Sequence, residues 1–254
     1  MPGSQAQAAR QGNEPAVQDL PSPINQETPP RWINALALND KQAVVLTETG
    51  RLARIQFGTA PVPHLEEITH WEAGHAVDVP CTLAAGRLFL ADDSPRLVML
   101  DATTLEPQAT HALESPAAGP PRPAGTVVLV ELKSGTLTAL DTAARLEERW
   151  KFPLDGAWLA GEPLIDGEQI IVALTNGRIV WLDSKSGALA KSVDVGQQLA
   201  FGPQRWGLNL VVGTLDGSLV ICDQSGIDQP GIDQAKESPP EPVVPNPEKV
   251  SNEQ

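Results

Sequence analysis

A short strand that follows a tight turn recurs five times along this 254-residue chain, and no other feature constrains the fold as strongly. The copies begin 45, 40, 42 and 40 residues apart. They are GRLARIQ at 50–56, PRLVMLD at 95–101, GTLTALD at 135–141, GRIVWLD at 177–183 and GSLVICD at 217–223. A period of about 40–45 residues is typical of the blades of a β-propeller.

Each copy is preceded by a second apolar strand, so that every repeat contains a β-hairpin. The preceding strands are AVVL at 43–46, RLFLA at 87–91, TVVLVEL at 126–132, QIIVAL at 169–174 and LNLVVGTL at 208–215. The turns between the paired strands end in Gly or Pro, the residue types that favour a tight reversal. Strands that are apolar on both faces, such as QIIVAL, suit a sheet packed between two neighbouring sheets.

Further strand candidates complete four strands per repeat. They are DVPCTL at 78–83, GEPLI at 161–165 and LAFGP at 199–203 upstream of the hairpins, and segments within 141–156 and 183–196 downstream. Apolar runs of four to seven residues are too short for a helical solenoid, and only residues 64–76 and 143–148 could form short helices. We therefore predict an all-β fold, a β-propeller of about five four-stranded blades.

The two ends of the chain differ in composition from the repeats. Six of the 24 prolines lie at or before Pro30 and six at or after Pro230. Segments rich in Pro, Gln, Glu and Ser cannot bury enough apolar surface to offset the entropy of ordering them. We expect residues 1–30 to be a disordered N-terminal segment, residues 31–224 to form the repeats, and residues 225–254 to be a disordered Pro/Glu-rich tail.

Composition argues against several classes of partner. The net charge of −14 repels phosphate backbones and anionic lipid headgroups, so we expect neither nucleic acid binding nor electrostatic binding to a membrane surface. We expect no membrane insertion, because the sequence has no apolar run long enough to span a bilayer. The sequence shows no signal peptide and no apolar run of about 20 residues, which indicates a soluble chain. Cys81 and Cys222 lie in apolar strand-like runs and are predicted to be inert buried thiols.

The segment WLDSKSGALAKSVDVG at 181–196 resembles the repeat of the pyrroloquinoline-quinone-like propeller family. Asp183, Ser186 and Gly187 match the pattern of that repeat. Partial matches are Asp101 with Thr104, Asp141 with Trp150, and Asp223 with Gly226. An Asp at the end of a strand can accept hydrogen bonds from backbone N–H groups of the following turn. We therefore expect Asp101, Asp141, Asp183 and Asp223 to have a structural role in the blade turns.

The resemblance implies a fold and not a quinoprotein oxidation. The adjacent Cys–Cys pair and the Glu, Asn and Asp cluster that hold the quinone and its calcium ion in the family are absent from the sequence. The function that the resemblance implies is a non-catalytic scaffold that binds a protein partner without a cofactor. Two alternatives stay open, a degenerate quinoprotein-type cofactor-binding module and a sensor domain of an envelope or signalling protein. The resemblance also allows an extracytoplasmic location.

The presence of five repeats does not determine whether the propeller forms a closed ring. Residues 32–38, WINALAL, could supply an extra strand that closes the ring, or the chain could form an incomplete arc of a larger propeller. The arc is favoured because the family generally has seven or eight blades. An open arc would leave sheet faces exposed and could associate with itself.

Few residues are candidates for chemistry. His64, His70 and His75, with nearby Glu residues and Cys81, have no spacing typical of a metal site and are expected in a solvated loop between strands. No catalytic signature motif occurs in the sequence. Trp150, Trp158, Trp181 and Trp206 are expected to pack between blades. If a small molecule binds, we expect it in the central channel or on the face that carries Trp158 and Trp206.

Overall fold

The computed structural model describes residues 30–143 and 145–223, and these form five antiparallel sheets joined in a row. Four sheets have four strands and the fifth has three, each in sequential order. The all-β prediction is confirmed. The expected disorder of the two ends concerns residues that lie outside the described part, apart from Pro30.

Each sheet is one blade, numbered in chain order. Blade 1 contains β1 (Trp32–Asn39), β2 (Gln42–Thr47), β3 (Arg51–Gly58) and β4 (His64–Glu72). Blade 2 contains β5 (Thr82–Ala84), β6 (Arg87–Asp92), β7 (Arg96–Asp101) and β8 (Pro107–Ala112). Blade 3 contains β9 (Arg122–Ala124), β10 (Val127–Glu131), β11 (Thr136–Asp141) and β12 (Glu147–Pro153). Blade 4 contains β13 (Leu164–Asp166), β14 (Gln169–Ala173), β15 (Arg178–Asp183) and β16 (Leu189–Asp194). Blade 5 contains β17 (Leu199–Trp206), β18 (Asn209–Thr214) and β19 (Leu219–Asp223).

The two central strands of a blade are apolar on both faces because both faces are covered. In β6, Leu88 and Leu90 pack toward blade 1, whereas Phe89 and Ala91 pack toward blade 3. Successive side chains of a strand point to opposite faces, so one short strand serves two interfaces. We call the side of a blade that faces the next blade its leading face and the opposite side its trailing face.

The core of the molecule lies between the blades. Four apolar clusters fill the junctions between blades 1 and 2, 2 and 3, 3 and 4, and 4 and 5. The first strands of neighbouring blades contact one another, as β5 does with β9 and β13 with β17. Among the described residues, no cluster joins blade 5 to blade 1, which fits an incomplete ring.

Of the two alternatives for residues 32–38, the structure excludes ring closure, because β1 pairs with β2 as the first strand of blade 1. One expectation about local structure is wrong. Residues 64–72 are neither a loop nor a helix, because they form the outer strand β4. Within the part of the chain that the structure describes, there is no helix with the length and hydropathy needed to cross a bilayer.

Candidate functional site

The turn after the third strand of a blade is organised by an aspartate. The Asp183 Oδ1 atom accepts the N–H of Ser186 at 2.8 Å and the Ser186 hydroxyl at 2.7 Å. In blade 2, Asp101 Oδ1 accepts the N–H groups of Thr103 at 2.8 Å and Thr104 at 2.9 Å. These hydrogen bonds favour the carboxylate form and lower the pKa of both groups, led by the Ser186 hydroxyl at Asp183 and the Thr104 N–H at Asp101.

Blades 3 and 5 vary this arrangement. Asp141 Oδ1 accepts the N–H of Ala143 at 2.7 Å, and Asp141 Oδ2 accepts a hydrogen bond from Arg149 Nε at 2.8 Å. The turn of blade 3 therefore adds an ion pair to its hydrogen bonds. Asp223 ends β19, and its side chain and Gly226 lie outside the described residues.

The same turns receive a hydrogen bond from the preceding blade. In each case, a side chain donates to a backbone carbonyl one or two residues after the aspartate. The pairs are Arg54 with Thr103, Arg87 with Thr142 at 2.7 Å, and Trp150 with Ser184 at 3.1 Å. The aspartate that orders each turn therefore also orients a backbone carbonyl oxygen, and that oxygen accepts the hydrogen bond from the preceding blade.

Gly187 sits in direct contact with the preceding blade. A Cβ atom built at Gly187 would lie 2.5 Å from the Trp150 ring, and the backbone φ of Gly187 is 69°. Only glycine adopts that backbone conformation at little cost and leaves room for the indole. Gly187 and Trp150 are therefore part of the junction between blades 3 and 4.

The four tryptophans expected to pack between blades divide into two pairs. Trp150 and Trp181 are buried, and the Lys191 ammonium lies 4.5 Å from the centre of the Trp181 ring. Trp158 is 41% exposed and Trp206 is 69% exposed, so packing between blades is the wrong expectation for these two. Both are placed where another molecule could contact them.

The histidine and glutamate segment forms a surface ion-pair network. On β4, His70 Nδ1 lies 2.9 Å from Glu67, which also pairs with Arg51 at 2.7 Å. His64 lies on the same strand and His75 beyond its end. No group of three or more metal-ligating side chains occurs among the residues that the structure describes.

Burial raises the pKa of the Cys81 thiol to about 12, which keeps it protonated and unreactive.

One buried acid was not anticipated from the sequence. Glu131 ends β10 on the leading face of blade 3, and its Oε1 atom accepts the Leu159 N–H at 2.6 Å. Desolvation raises its pKa, opposed by that hydrogen bond and by the charge of Arg122. Arg122 itself donates to Glu162 at 2.9 Å. The group serves the junction of blades 3 and 4, and its only sequence signal is an acid inside the apolar run TVVLVEL.

Exposed apolar side chains concentrate in the two end blades. Of the 14 large hydrophobic side chains that are exposed in the described structure, five belong to blade 1 and six to blade 5. Those of blade 1 are Trp32, Phe57, Val62, Leu65 and Ile68. Those of blade 5 are Phe201, Trp206, Leu208, Leu215, Leu219 and Ile221. Apart from Trp206, the sequence analysis did not identify any of these residues as contact sites.

A shallow depression adjoins the exposed residues of blade 5. Its volume is about 410 Å³, and it is lined by Gln197, Gln198, Thr214, Leu215 and Asp216. Asp216 accepts the backbone N–H of Ser218 at 3.0 Å as well as the Thr214 hydroxyl. The lining is formed by a turn and a linker, and the Thr214 hydroxyl and the Asp216 carboxylate are hydrogen-bonded to each other within the turn.

Comparison with known proteins agrees with the architecture. A family model described as outer membrane protein assembly factor BamB matches residues 66–200, more than half of the chain. The crystal structure of BamB from Moraxella catarrhalis is similar at a TM-score of 0.59 and 19% sequence identity, over 76% of this chain and 58% of that chain. The crystal structure of the computationally designed Ika8 protein is similar at a TM-score of 0.56 and 16% identity, over 73% and 56% of the two chains. No curated protein matches the sequence significantly.

At 16–19% identity, the two crystal structures show the fold and nothing of the activity. The chain also spans less than two thirds of the length of both solved chains.

Proposed function

Because this chain belongs to the β-propeller repeat family of the outer membrane protein assembly factor BamB, we infer that it is a non-catalytic scaffold that binds another protein. The observation that carries this proposal is the placement of exposed apolar side chains in blades 1 and 5 of a well-packed arc. Large exposed apolar patches on soluble proteins are typical of protein interaction sites. We propose that the aspartate turns support these surfaces, because each aspartate orders a turn whose carbonyl accepts a hydrogen bond from the preceding blade.

The contact residues of this proposal lie on blade 5 and in the linker before blade 4. Trp206 and Leu208 flank the β17–β18 turn, and Trp158 lies in the linker between blades 3 and 4. Aromatic side chains contribute much of the binding energy of protein interfaces because they bury a large area with few rotatable bonds. We propose that these three residues contact the partner.

Affinity capture from native extract tests the proposal. The full chain is immobilised and compared with a Trp206→Ala/Leu208→Ser double variant and with a Leu189→Ser control, which removes a 47% exposed residue from the outer strand of blade 4. We expect a protein that cross-links reproducibly to the wild type and the control, and at least about tenfold less to the double variant. A partner retained equally by all three chains, or no reproducible partner, would contradict the role of blade 5.

A further inference from the structure

The four junctions within the arc are built by one rule. Each pairs the leading face of one blade with the trailing face of the next, and four positions of the repeat supply the strand residues of each face. These positions are apolar on the leading faces except at Arg54 in blade 1 and Glu131 in blade 3, and linker residues complete the clusters. On the leading face of blade 2 the four positions are Phe89, Ala91, Leu97 and Met99, and on its trailing face Leu88, Leu90, Val98 and Leu100. A blade face is therefore complementary to the opposite type of face.

The leading face of blade 5 has the residues of such a junction but no blade against it among the described residues. By their strand register, the equivalent positions are Val211, Gly213, Leu219 and Ile221. Leu219 is 59% exposed and Ile221 41% exposed. Phe201 pairs with Gly213 across β17 and β18, and its ring occupies the space where a Cβ of Gly213 would lie. The result is an apolar sheet face that lacks a neighbour.

The trailing face of blade 1 is of the type that packs against a leading face in the four junctions within the arc. By the same register, the positions of Leu88, Leu90, Val98 and Leu100 correspond to Ala43, Val45, Ala53 and Ile55. Ala35 pairs with Val45 on this face and is exposed. Toward the outer edge of the face, Arg51 pairs with Glu67 and Glu72, each at 2.7 Å. A blade placed here would bury no unpaired charge from these groups.

We propose that a second copy of this chain packs the trailing face of its blade 1 against the leading face of blade 5. The contact continues the junction that the chain already forms four times, and every copy carries both halves of it. Such a contact is heterologous, so an open assembly has one free leading face at one end and one free trailing face at the other. The inference is independent of the partner in the proposed function, because it involves purified chain alone.

The chain's own C-terminal segment is a poor substitute for a second copy. Residues 224–254 contain six prolines, and a proline cannot donate to the hydrogen-bond ladder of a sheet. The sequence that follows β19, QSGIDQPGID, has glycines and a proline where blades 2 to 4 have an outer strand. A folded blade from another copy brings the required apolar side chains already in place.

Two variants that each block one face test the proposal. Leu219→Arg blocks the leading face of blade 5, and Ala35→Arg blocks the trailing face of blade 1, both at exposed positions that tolerate a long side chain. Leu189→Arg is the control, because Leu189 lies on the outer strand β16 and on neither end face. The full chains are examined by analytical ultracentrifugation over a range of concentration, with circular dichroism to verify folding.

We expect the wild type and the control to exceed the monomer mass of 27.0 kDa increasingly with concentration. Each face variant alone should remain monomeric, with a dissociation constant raised at least about tenfold, corresponding to about 1.4 kcal/mol. A mixture of the two variants should form a dimer and nothing larger, because each supplies the face that the other lacks. The proposal would be overturned if the Ala35→Arg chain associated with itself, or if the mixture of the two variants stayed monomeric. It would also be overturned if the wild type stayed monomeric at every concentration up to about 1 mM.

Discussion

Blades 4 and 5 share the same apolar strand pattern and meet different surroundings. GRIVWLD and GSLVICD form the third strands β15 and β19, and both pair with an apolar second strand. Ile179 on the leading face of blade 4 is fully buried against blade 5. Leu219, at the same position of blade 5, is 59% exposed.

The difference shows that burial in this fold is decided by the neighbour and not by the strand. A repeat arrangement gives the blades similar, largely apolar faces, because an inner blade packs on both sides. The end blades keep those faces even where no blade of the described chain covers them. The stability contributed by a residue should therefore follow its position in the row more closely than its position in the repeat.

The largest effect is expected from truncating equivalent residues of the two blades. Ile179→Ala should lower the free energy of unfolding by about 2–5 kcal/mol, because it leaves a cavity in the junction between blades 4 and 5. Leu219→Ala should cost less than about 1 kcal/mol, because more than half of that side chain is already in water. Urea denaturation at low micromolar protein measures both, and equal losses would show that the face of blade 5 is covered.

Most of the fold could be predicted from the sequence because its information is local. Alternation in short apolar runs and glycine at hairpin turns identify strands and their pairing, and the 40-residue period fixes the number of blades. The aspartate turn of blade 4 was also visible, because Asp183 and Ser186 are neighbours in the chain.

What the sequence could not provide depends on long-range contacts. The apolar pattern of GSLVICD is the same whether or not a blade packs on it, so the exposure of Leu219 and Ile221 was not predictable. The role of the segment WINALAL was left open because a first strand and a ring-closing strand have the same pattern. Trp158 and Trp206 could not be distinguished from Trp150 and Trp181, since burial depends on blades 40 residues away.

A smaller effect is expected at the hairpin glycines of the same two blades. Gly177 has φ 96° and Gly217 has φ 90°, so alanine is strained at both positions. A Cβ at Gly177 would also lie 2.6 Å from the carbonyl oxygen of Gln197 in the linker to blade 5, whereas a Cβ at Gly217 meets nothing within 4 Å. Gly177→Ala should therefore destabilise the chain by about 1–3 kcal/mol more than Gly217→Ala. Thermal unfolding of the two variants measures the difference, and equal melting temperatures would contradict the close contact.

A still smaller effect depends on pH. The leading face of blade 3 carries Glu131 at the position of Ala173 in blade 4 and Gly213 in blade 5. Because burial raises the pKa of Glu131, ionisation in the folded state costs stability once the pH rises above the unfolded-state pKa. Glu131→Gln keeps the acceptor for the Leu159 N–H and removes this cost. The variant should gain stability over the wild type as the pH rises above the unfolded-state pKa, and a gain that is independent of pH would assign the effect to packing.

The smallest change in stability is expected at Trp206, which is exposed at the end of β17, whereas Trp181 is buried on the leading face of blade 4. Because Trp206 is 69% exposed, Trp206→Ala should alter the free energy of unfolding by no more than about 0.5 kcal/mol. The variant should instead lose the part of the fluorescence that iodide quenches most readily, since a buried indole such as Trp181 is shielded from an aqueous anion. A loss above about 2 kcal/mol in dilute protein would mean that the end blade is packed within a single chain, and the contrast between blades 4 and 5 would then disappear.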